Sequence, residues 1–216
     1  MQAVHYATLI AGQMPPIDPD QAFDLHVLAC ILSAAKAEVD EGGLSCRGTT
    51  GLEPQELRQL MNRHFPLAAL SFLADEERED APGALMEEEI LRDLLLQHVA
   101  PGQPVSRLLA RMIACRAMYE DHLWQDLGLL NRQELTRLLR RHFPALAAGN
   151  RNNMKWKKYL YRKLCESEGF ALCTAPTCRD CQDFENCFGE ESGESRLARL
   201  KNGFDPRVSS PLQAAE

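Results

Sequence analysis

The sequence predicts an all-α protein: a helical body with an internally duplicated helical hairpin, followed by an irregular C-terminal cysteine-rich cluster-binding loop. Apolar residues recur at helical spacing in successive segments, and no segment alternates as a half-buried strand does. The segment LEPQELRQLMNRHFP at 52–66 aligns without a gap with LNRQELTRLLRRHFP at 130–144. Half of the eight cysteines lie within residues 173–187.

The chain divides into a short lead-in and a helical body. Residues 1–22 are rich in proline and are expected to be loosely ordered. The body, residues 23–149, opens with a helix near Asp24. A second helix begins at Pro54, which suits a first helical turn, and it ends before Pro66. Further helices are expected at about 84–99, 106–123 and 132–142, with a glycine-rich connection at 40–51 and an acidic loop at 75–83.

The two copies at 52–66 and 130–144 are each preceded by a helix of loosely similar sequence. Two such hairpins are expected to pack face to face and bury their apolar stripes together. Both copies end in Arg-His-Phe-Pro, which places His64 and His142 at helix termini. A cation there suits the helix dipole while the phenylalanine packs inward, and a metal or anion ligand is the alternative.

Residues 150–189 combine a basic helix with the cysteine loop, and the polar tail at 190–216 is expected to be disordered. The helix carries a buried side and, opposite it, Lys155, Lys158 and Arg162. This basic face is either a solvated surface or a contact for an anion or a partner. The predicted buried residues are Trp156, Tyr159, Leu160 and Leu164.

Four cysteines in the loop form a candidate metal site with the spacing C-x4-C-x2-C-x5-C. Thiolates are soft donors, so an iron–sulfur cluster, zinc or copper(I) are the candidates, and disulfides are a further alternative. The single C-x2-C step favours a cluster over structural zinc, which usually takes two such pairs. The four residues are Cys173, Cys178, Cys181 and Cys187, whereas Cys30, Cys46, Cys115 and Cys165 are scattered and are expected to be buried as small apolar residues.

Composition excludes several classes of protein. A net charge of −7 argues against a general nucleic-acid binder. No apolar run reaches the length of a membrane span, and the N-terminus lacks the basic region of a secretory signal. We therefore expect a cytoplasmic protein, in which thiols stay reduced and clustered cysteines are metal ligands.

The order of these motifs resembles the NifQ family of nitrogen-fixation proteins. The resemblance covers about residues 119–189, where DHLWQDLGLLNRQELTRLLRRHFP precedes NRNNMKWKKYLYRKLCESEG and then the cysteine loop ending in DFENCFG. It implies a molybdenum–iron–sulfur protein that supplies molybdenum for assembly of the nitrogenase iron–molybdenum cofactor. The implied cluster ligands are the four loop cysteines. The implied partners are the cofactor-assembly scaffold complex and the nitrogenase iron protein, with molybdate or another molybdenum source upstream.

Two other functions fit the same residues. An iron–sulfur electron-transfer subunit would contain iron and sulfide without molybdenum, and a zinc-stabilised interaction module would contain one zinc ion. Cys165 and His142 are further candidate metal donors beside the loop. The sequence has no nucleophile elbow, phosphate loop or zinc-protease motif, so we expect a carrier and not an enzyme.

Overall fold

The computed structural model describes residues 1–13, 16–42, 45–73 and 86–167, and all regular structure in these ranges is α-helical, as predicted. The acidic loop at 75–83, the cysteine loop and the tail at 190–216 lie outside the described residues. The helices in the described ranges are α1 (Gln2–Ile10), α2 (Pro19–Asp40), α3 (Cys46–Thr50), α4 (Pro54–His64), α5 (Ala69–Leu73), α6 (Met86–Gln97), α7 (Val105–Ala117), α8 (Leu123–Asp126), α9 (Arg132–His142), α10 (Pro144–Ala148) and α11 (Trp156–Ser167).

The N-terminal lead-in differs from the expectation, because residues 2–10 form helix α1 and pack along α2. Leu9 is only 2% exposed, so this segment belongs to the core. Helix α2 also begins earlier than Asp24. Asp18 caps it by accepting a hydrogen bond from the backbone N–H of Asp20, and Pro19 occupies the first helical position.

Helices α2 and α7 form the centre of the molecule. Most residues of both helices are buried, which is why neither shows a narrow apolar stripe. Helix α1 packs on α2, α6 packs on α7, and the short helix α3 contacts both central helices. The predicted helix at 106–123 is two helices, because α7 ends at Ala117 and α8 begins at Leu123. Helix α3 lies within the glycine-rich connection predicted at 40–51, where no helix was expected.

The two copied segments form equivalent helices. Helices α4 and α9 both have 11 residues and both end where a phenylalanine adopts φ −137°. Phe65 and Phe143, at these ends, are fully buried, as predicted. This equivalence covers the helices and their ends, and the face-to-face packing of two hairpins stays a prediction.

A buried ion pair connects the two central helices. Arg116 on α7 is 0% exposed, and its guanidinium binds both carboxylate oxygens of Glu38 on α2 at 2.7 and 2.8 Å. Its Nε donates to the backbone carbonyl of Asp126 at 2.6 Å, which adds α8 to the same network. The ring of Tyr119 lies 4.2 Å from the guanidinium carbon. Arg116 therefore holds three helices together with charge-assisted hydrogen bonds.

None of the helices in the described ranges combines the length and the apolar content needed to cross a membrane.

Candidate metal centre

Helix α11 precedes the cysteine loop in the sequence, and its last residue, Ser167, lies six positions before Cys173. The face predicted to be buried is buried, since each of its four apolar residues lies in the core. The ring of Trp156 meets that of Tyr159 edge-on, with centroids 5.8 Å apart. The remaining members of this face, Leu160 and Leu164, continue it toward the end of the helix. Apolar burial thus attaches the whole length of α11 to the body.

Polar contacts fix the position of α11 more closely. The indole Nε1–H of Trp156 donates to Thr136 Oγ1 on α9 at 3.1 Å, and the hydroxyl of Tyr159 donates to the carbonyl of Leu146 on α10 at 2.7 Å. Gly149 makes room for that hydroxyl, because a Cβ atom at this position would lie 2.3 Å from it. These contacts tie the helix to α9 and α10 at defined points.

Lys157 has a structural role in this docking. Its ammonium group contacts the carboxylate of Asp126 on α8 and the carbonyl of Tyr119. Burial raises the pKa of Asp126, and the hydrogen bond and charge of Lys157 oppose that shift. Lys157 therefore stabilises the docked position of α11.

The predicted anion-contacting face lies on the outer side of α11. Lys158 is exposed there, and Lys155 and Arg162 are half-buried. Arg162 pairs with Glu166 at 2.9 Å, and the two side chains are 40% and 43% exposed. Lys163 binds the same carboxylate at 2.6 Å. Exposed ion pairs of this kind contribute little to stability, and the anion-contacting role of this face stays a prediction.

The candidate ligands Cys173, Cys178, Cys181 and Cys187 lie outside the described residues. Within the ranges that the structure describes, no three histidine, cysteine or acidic side chains are grouped as a metal site. The four cysteines that the structure describes are free thiols. Cys30, Cys46 and Cys115 are buried, whereas Cys165 on α11 is half-buried.

Cys115 illustrates why the body cysteines do not suit metal binding. Its thiol donates to the carbonyl of Gly48, and burial raises its pKa to about 12. A metal ligand must be a thiolate, so this environment disfavours the required form. Cys165 alone among the described cysteines is not buried, and it lies eight residues before Cys173 in the sequence.

His142, the other candidate donor, has both ring nitrogens engaged within the fold. Its Nε2 lies 3.0 Å from a carboxylate oxygen of Asp24, and its Nδ1 lies 2.9 Å from the hydroxyl of Ser106. Arg141 binds the same carboxylate through two nitrogens, at 2.7 and 2.9 Å. The imidazole is fully buried, so this geometry supports a structural role and gives no support to a metal ligand.

Asp24 is held in its charged form by these partners. Burial would raise the pKa of its carboxyl, but the hydrogen bonds from His142 and Arg141 outweigh burial and lower it.

The copy of His142, His64, has a different environment, since its ring is half-buried and its backbone carbonyl accepts a hydrogen bond from Gln13. Equivalent sequence positions therefore have unlike chemistry.

His64 is expected to contribute to a loss of stability in mild acid. Burial lowers its pKa below 6.5, and the charge of Arg63 lowers it further while Asp24 opposes both. Because the unfolded chain binds the proton more readily, this contribution is complete above about pH 6.5 and is lost as pH falls toward the folded value. His64→Gln should flatten the dependence of the unfolding free energy between about pH 7 and pH 5, measured by denaturant titration. An unchanged pH dependence in this variant would contradict the assignment.

A cavity lined by arginines lies on the outer face of α9, and none of the residues predicted as functional from the sequence except His142 lies on this helix. Arg132, Arg137, Arg140 and Arg141 line it together with Trp124. A signal was present in the sequence, because α9 carries arginines where its copy α4 carries other residues.

Comparisons with known proteins match most of this chain to one family. The family model NifQ matches residues 27–189 of this chain. A Sinorhizobium fredii protein called Protein NifQ homolog is 51% identical, over 85% of this chain and 80% of its own length. Protein NifQ of Azotobacter vinelandii is 38% identical, over 69% of this chain and 82% of its own length. Protein NifQ of Rhodobacter capsulatus is 32% identical, over 87% of this chain and 99% of its own length. No solved structure matches this chain.

Proposed function

Because this chain belongs to the NifQ family, involved in nitrogen fixation, we propose that it carries a metal cluster and donates molybdenum for assembly of the nitrogenase iron–molybdenum cofactor. One observation carries the proposal. The matched residues run to Gly189 and include all four cysteines of the loop. The motif that suggests a soft-metal site therefore lies within the span that the family model matches.

The donor set of the loop fits an iron–sulfur cluster. Four thiolates, Cys173, Cys178, Cys181 and Cys187, match the ligand number and type that such clusters use. The body supplies no competing thiolate site in its described ranges, since Cys30, Cys46 and Cys115 are buried. The cluster would supply the sulfide that holds molybdenum as cargo, with Cys165 as a candidate additional donor.

The body and α11 then act as a support for the loop. Apolar burial and the contacts of Trp156, Lys157 and Tyr159 hold α11 in place as far as Ser167, six residues before Cys173. The outer face of α11 adds positive charge beside a site where thiolates and sulfides accumulate negative charge. That face is also suited to attract molybdate or an acidic partner surface. We propose the cofactor-assembly scaffold complex and the nitrogenase iron protein as the partners, with no turnover of an organic substrate.

Metal and sulfide analysis of anaerobically purified protein from cells grown with molybdate tests the proposal. We expect iron, sulfide and molybdenum in the same preparation, with the absorption and paramagnetic resonance of an iron–sulfur cluster. Iron and sulfide without molybdenum would contradict the donor function and favour electron transfer. Zinc alone would contradict both and favour an interaction module.

A triple substitution tests the role of the basic face. Lys155→Ala, Lys158→Ala and Arg162→Ala together should lower molybdenum loading or transfer while iron content stays unchanged, because the cluster ligands are untouched. The measurement is the ratio of molybdenum to iron after growth at limiting molybdate. Arg58, Arg63 and Arg107 are exposed on other helices, and their triple replacement by alanine is a control with the same change in charge. Equal loading in the two triple variants would leave the basic face as a solvated surface.

A further inference from the structure

The arginine cavity is the cavity on α9 that Arg132, Arg137, Arg140 and Arg141 line, and it has a volume of about 970 Å³. That volume is at the upper end of the range found for small-molecule sites. Its lining has one carboxylate, that of Asp20, against four guanidinium groups. The chain as a whole carries a net charge of −7, so this concentration of positive charge opposes the overall balance.

The guanidinium groups are partly held in place by the fold. Arg132 donates to the backbone carbonyls of Asn153 and Met154 at 3.0 and 2.9 Å. Arg137 and Arg141 both bind Asp20, at 3.0 and 2.9 Å. Asp20 thus binds two arginines, Arg141 is also bound by Asp24, and Arg140 is exposed at the cavity. Groups that are oriented before binding lose less conformational entropy when a ligand arrives.

The need to form a helix does not explain most of these arginines. Helices α4 and α9 have the same length and the same C-terminal geometry, and they share their buried leucines. The positions of Arg132, Arg137 and Arg140 are occupied in α4 by Pro54, Gln59 and Asn62. Only Arg141 has an arginine counterpart, Arg63. Three of the four arginines are therefore additions to a helix that forms without them.

Trp124 provides an independent indication of a ligand. It lines the same cavity and is 3% exposed, and its indole Nε1–H has no hydrogen-bond acceptor among the residues that the structure describes. Buried donors are nearly always paired, so one without an acceptor calls for an explanation. The first turn of α9 lies at the cavity too, and although Asn131 caps the N–H of Glu134, the positive end of the helix dipole favours negative charge there.

We propose that the arginine cavity binds a small molecule through an oxyanion group, either an inorganic oxyanion or the acidic group of an organic one. Guanidinium groups bind such oxygens in pairs of parallel hydrogen bonds. Among the described residues, the cavity lies near the start of α11 and not near its end. Thr136, which lines it, binds Trp156 at the start of α11, whereas Cys165 lies nine residues later, about 14 Å along the helix axis.

The two tryptophans of the chain allow a direct test. In full-length protein with ¹⁵N-labelled tryptophan, the two indole N–H resonances report on the cavity and on the neighbouring Trp156–Thr136 bond, with a Trp156→Phe variant giving the assignment. The protein is titrated with molybdate, sulfate, pyrophosphate and succinate, and with chloride at matched ionic strength. We expect a saturable shift of the Trp124 resonance with at least one oxyanion and none with chloride.

Substitutions then locate the binding. Arg140→Gln removes an exposed guanidinium at the cavity and should weaken the saturable response about tenfold or more. Arg107→Gln removes an exposed arginine from α7 and should leave it unchanged. Absence of a saturable response to all four oxyanions, or equal affinity in Arg140→Gln and Arg107→Gln, would overturn the proposal.

The probes also distinguish the source of the oxyanion. A response to molybdate, sulfate or pyrophosphate supports an inorganic ligand, and a response to succinate alone supports an organic acid. Since this readout needs no cluster, its failure would leave the metal analysis unaffected, and a protein without molybdenum would leave this proposal standing.

Discussion

Cys178→Ala and Cys181→Ala are each expected to abolish iron retention while leaving the helical circular dichroism almost unchanged. The two residues form the C-x2-C step of the loop and are proposed cluster ligands. Loss of one thiolate leaves an iron site incomplete, and ligand substitutions commonly destroy such clusters. The helical body has its own core of buried residues, formed from α1 through α11, so it does not need the loop to fold. Iron and sulfide content after anaerobic purification measures the effect.

Matched cysteine variants make this result specific. Cys115→Ala removes a buried thiol whose pKa is raised to about 12, and it should retain iron. Cys165→Ala removes the half-buried thiol on α11 and tests whether this residue contributes a further ligand. Retention of iron in both Cys178→Ala and Cys181→Ala would show that the cluster is bound elsewhere.

Arg116→Ala is expected to lower the free energy of unfolding by about 3–5 kcal/mol, the range for removal of one partner from a buried ion pair. The substitution leaves Glu38 with a largely buried charge, and it leaves the Asp126 carbonyl without the Nε–H that it accepts at 2.6 Å. It also opens a cavity between α2, α7 and α8. Denaturant titration monitored by circular dichroism measures the loss.

Arg107→Ala provides the comparison, because this arginine lies on the same helix and is exposed. Its effect should stay within about 0.5 kcal/mol, as for other surface substitutions. Pairing Arg116→Met with Glu38→Met should recover much of the loss, since both charges are then removed together. Equal stabilities for Arg116→Ala and Arg107→Ala would refute the role of the buried pair.

Local signals explain which helices the sequence predicts well. Helix α9 begins and ends at the predicted residues, and α4 begins at its proline and ends before Phe65. A proline at the first helical position and a Phe-Pro step after the last are short-range features. Residues 2–10 lack a comparable signal. Only Gln2 and Leu9 of α1 are buried, so its helix depends on packing against α2.

Helix α2 shows how a local signal can be misinterpreted. The prediction placed its start near Asp24, where the apolar periodicity begins, whereas the cap and the first-turn proline are Asp18 and Pro19. The same proline had suggested an irregular lead-in. Capping signals therefore deserve more weight than apolar periodicity in locating the first turn of a long buried helix.

The region of the candidate site also combines features that the sequence predicts with contacts that it does not. Periodicity alone identifies the buried face of α11, but the partners of that face come from distant segments. The bond between His142 and Asp24 joins residues 118 positions apart, and sequence spacing carries no information about it. The burial of Arg116 is equally unpredictable, because charged residues are rarely fully buried and its partner Glu38 is 78 positions away.

The docking of α11 also fixes the rotational orientation of this helix about its own axis. A helix turns by about 100° and advances about 1.5 Å for each residue. Contacts on two sides of the first turns, through Lys157 and Tyr159, prevent α11 from rotating about its axis. One residue added or removed after these contacts would therefore redirect the chain at Ser167 by more than a quarter of a turn, whereas seven residues, close to two turns, would almost restore its direction. The number of residues in α11 therefore sets both the distance and the direction in which the chain leaves the body at Ser167.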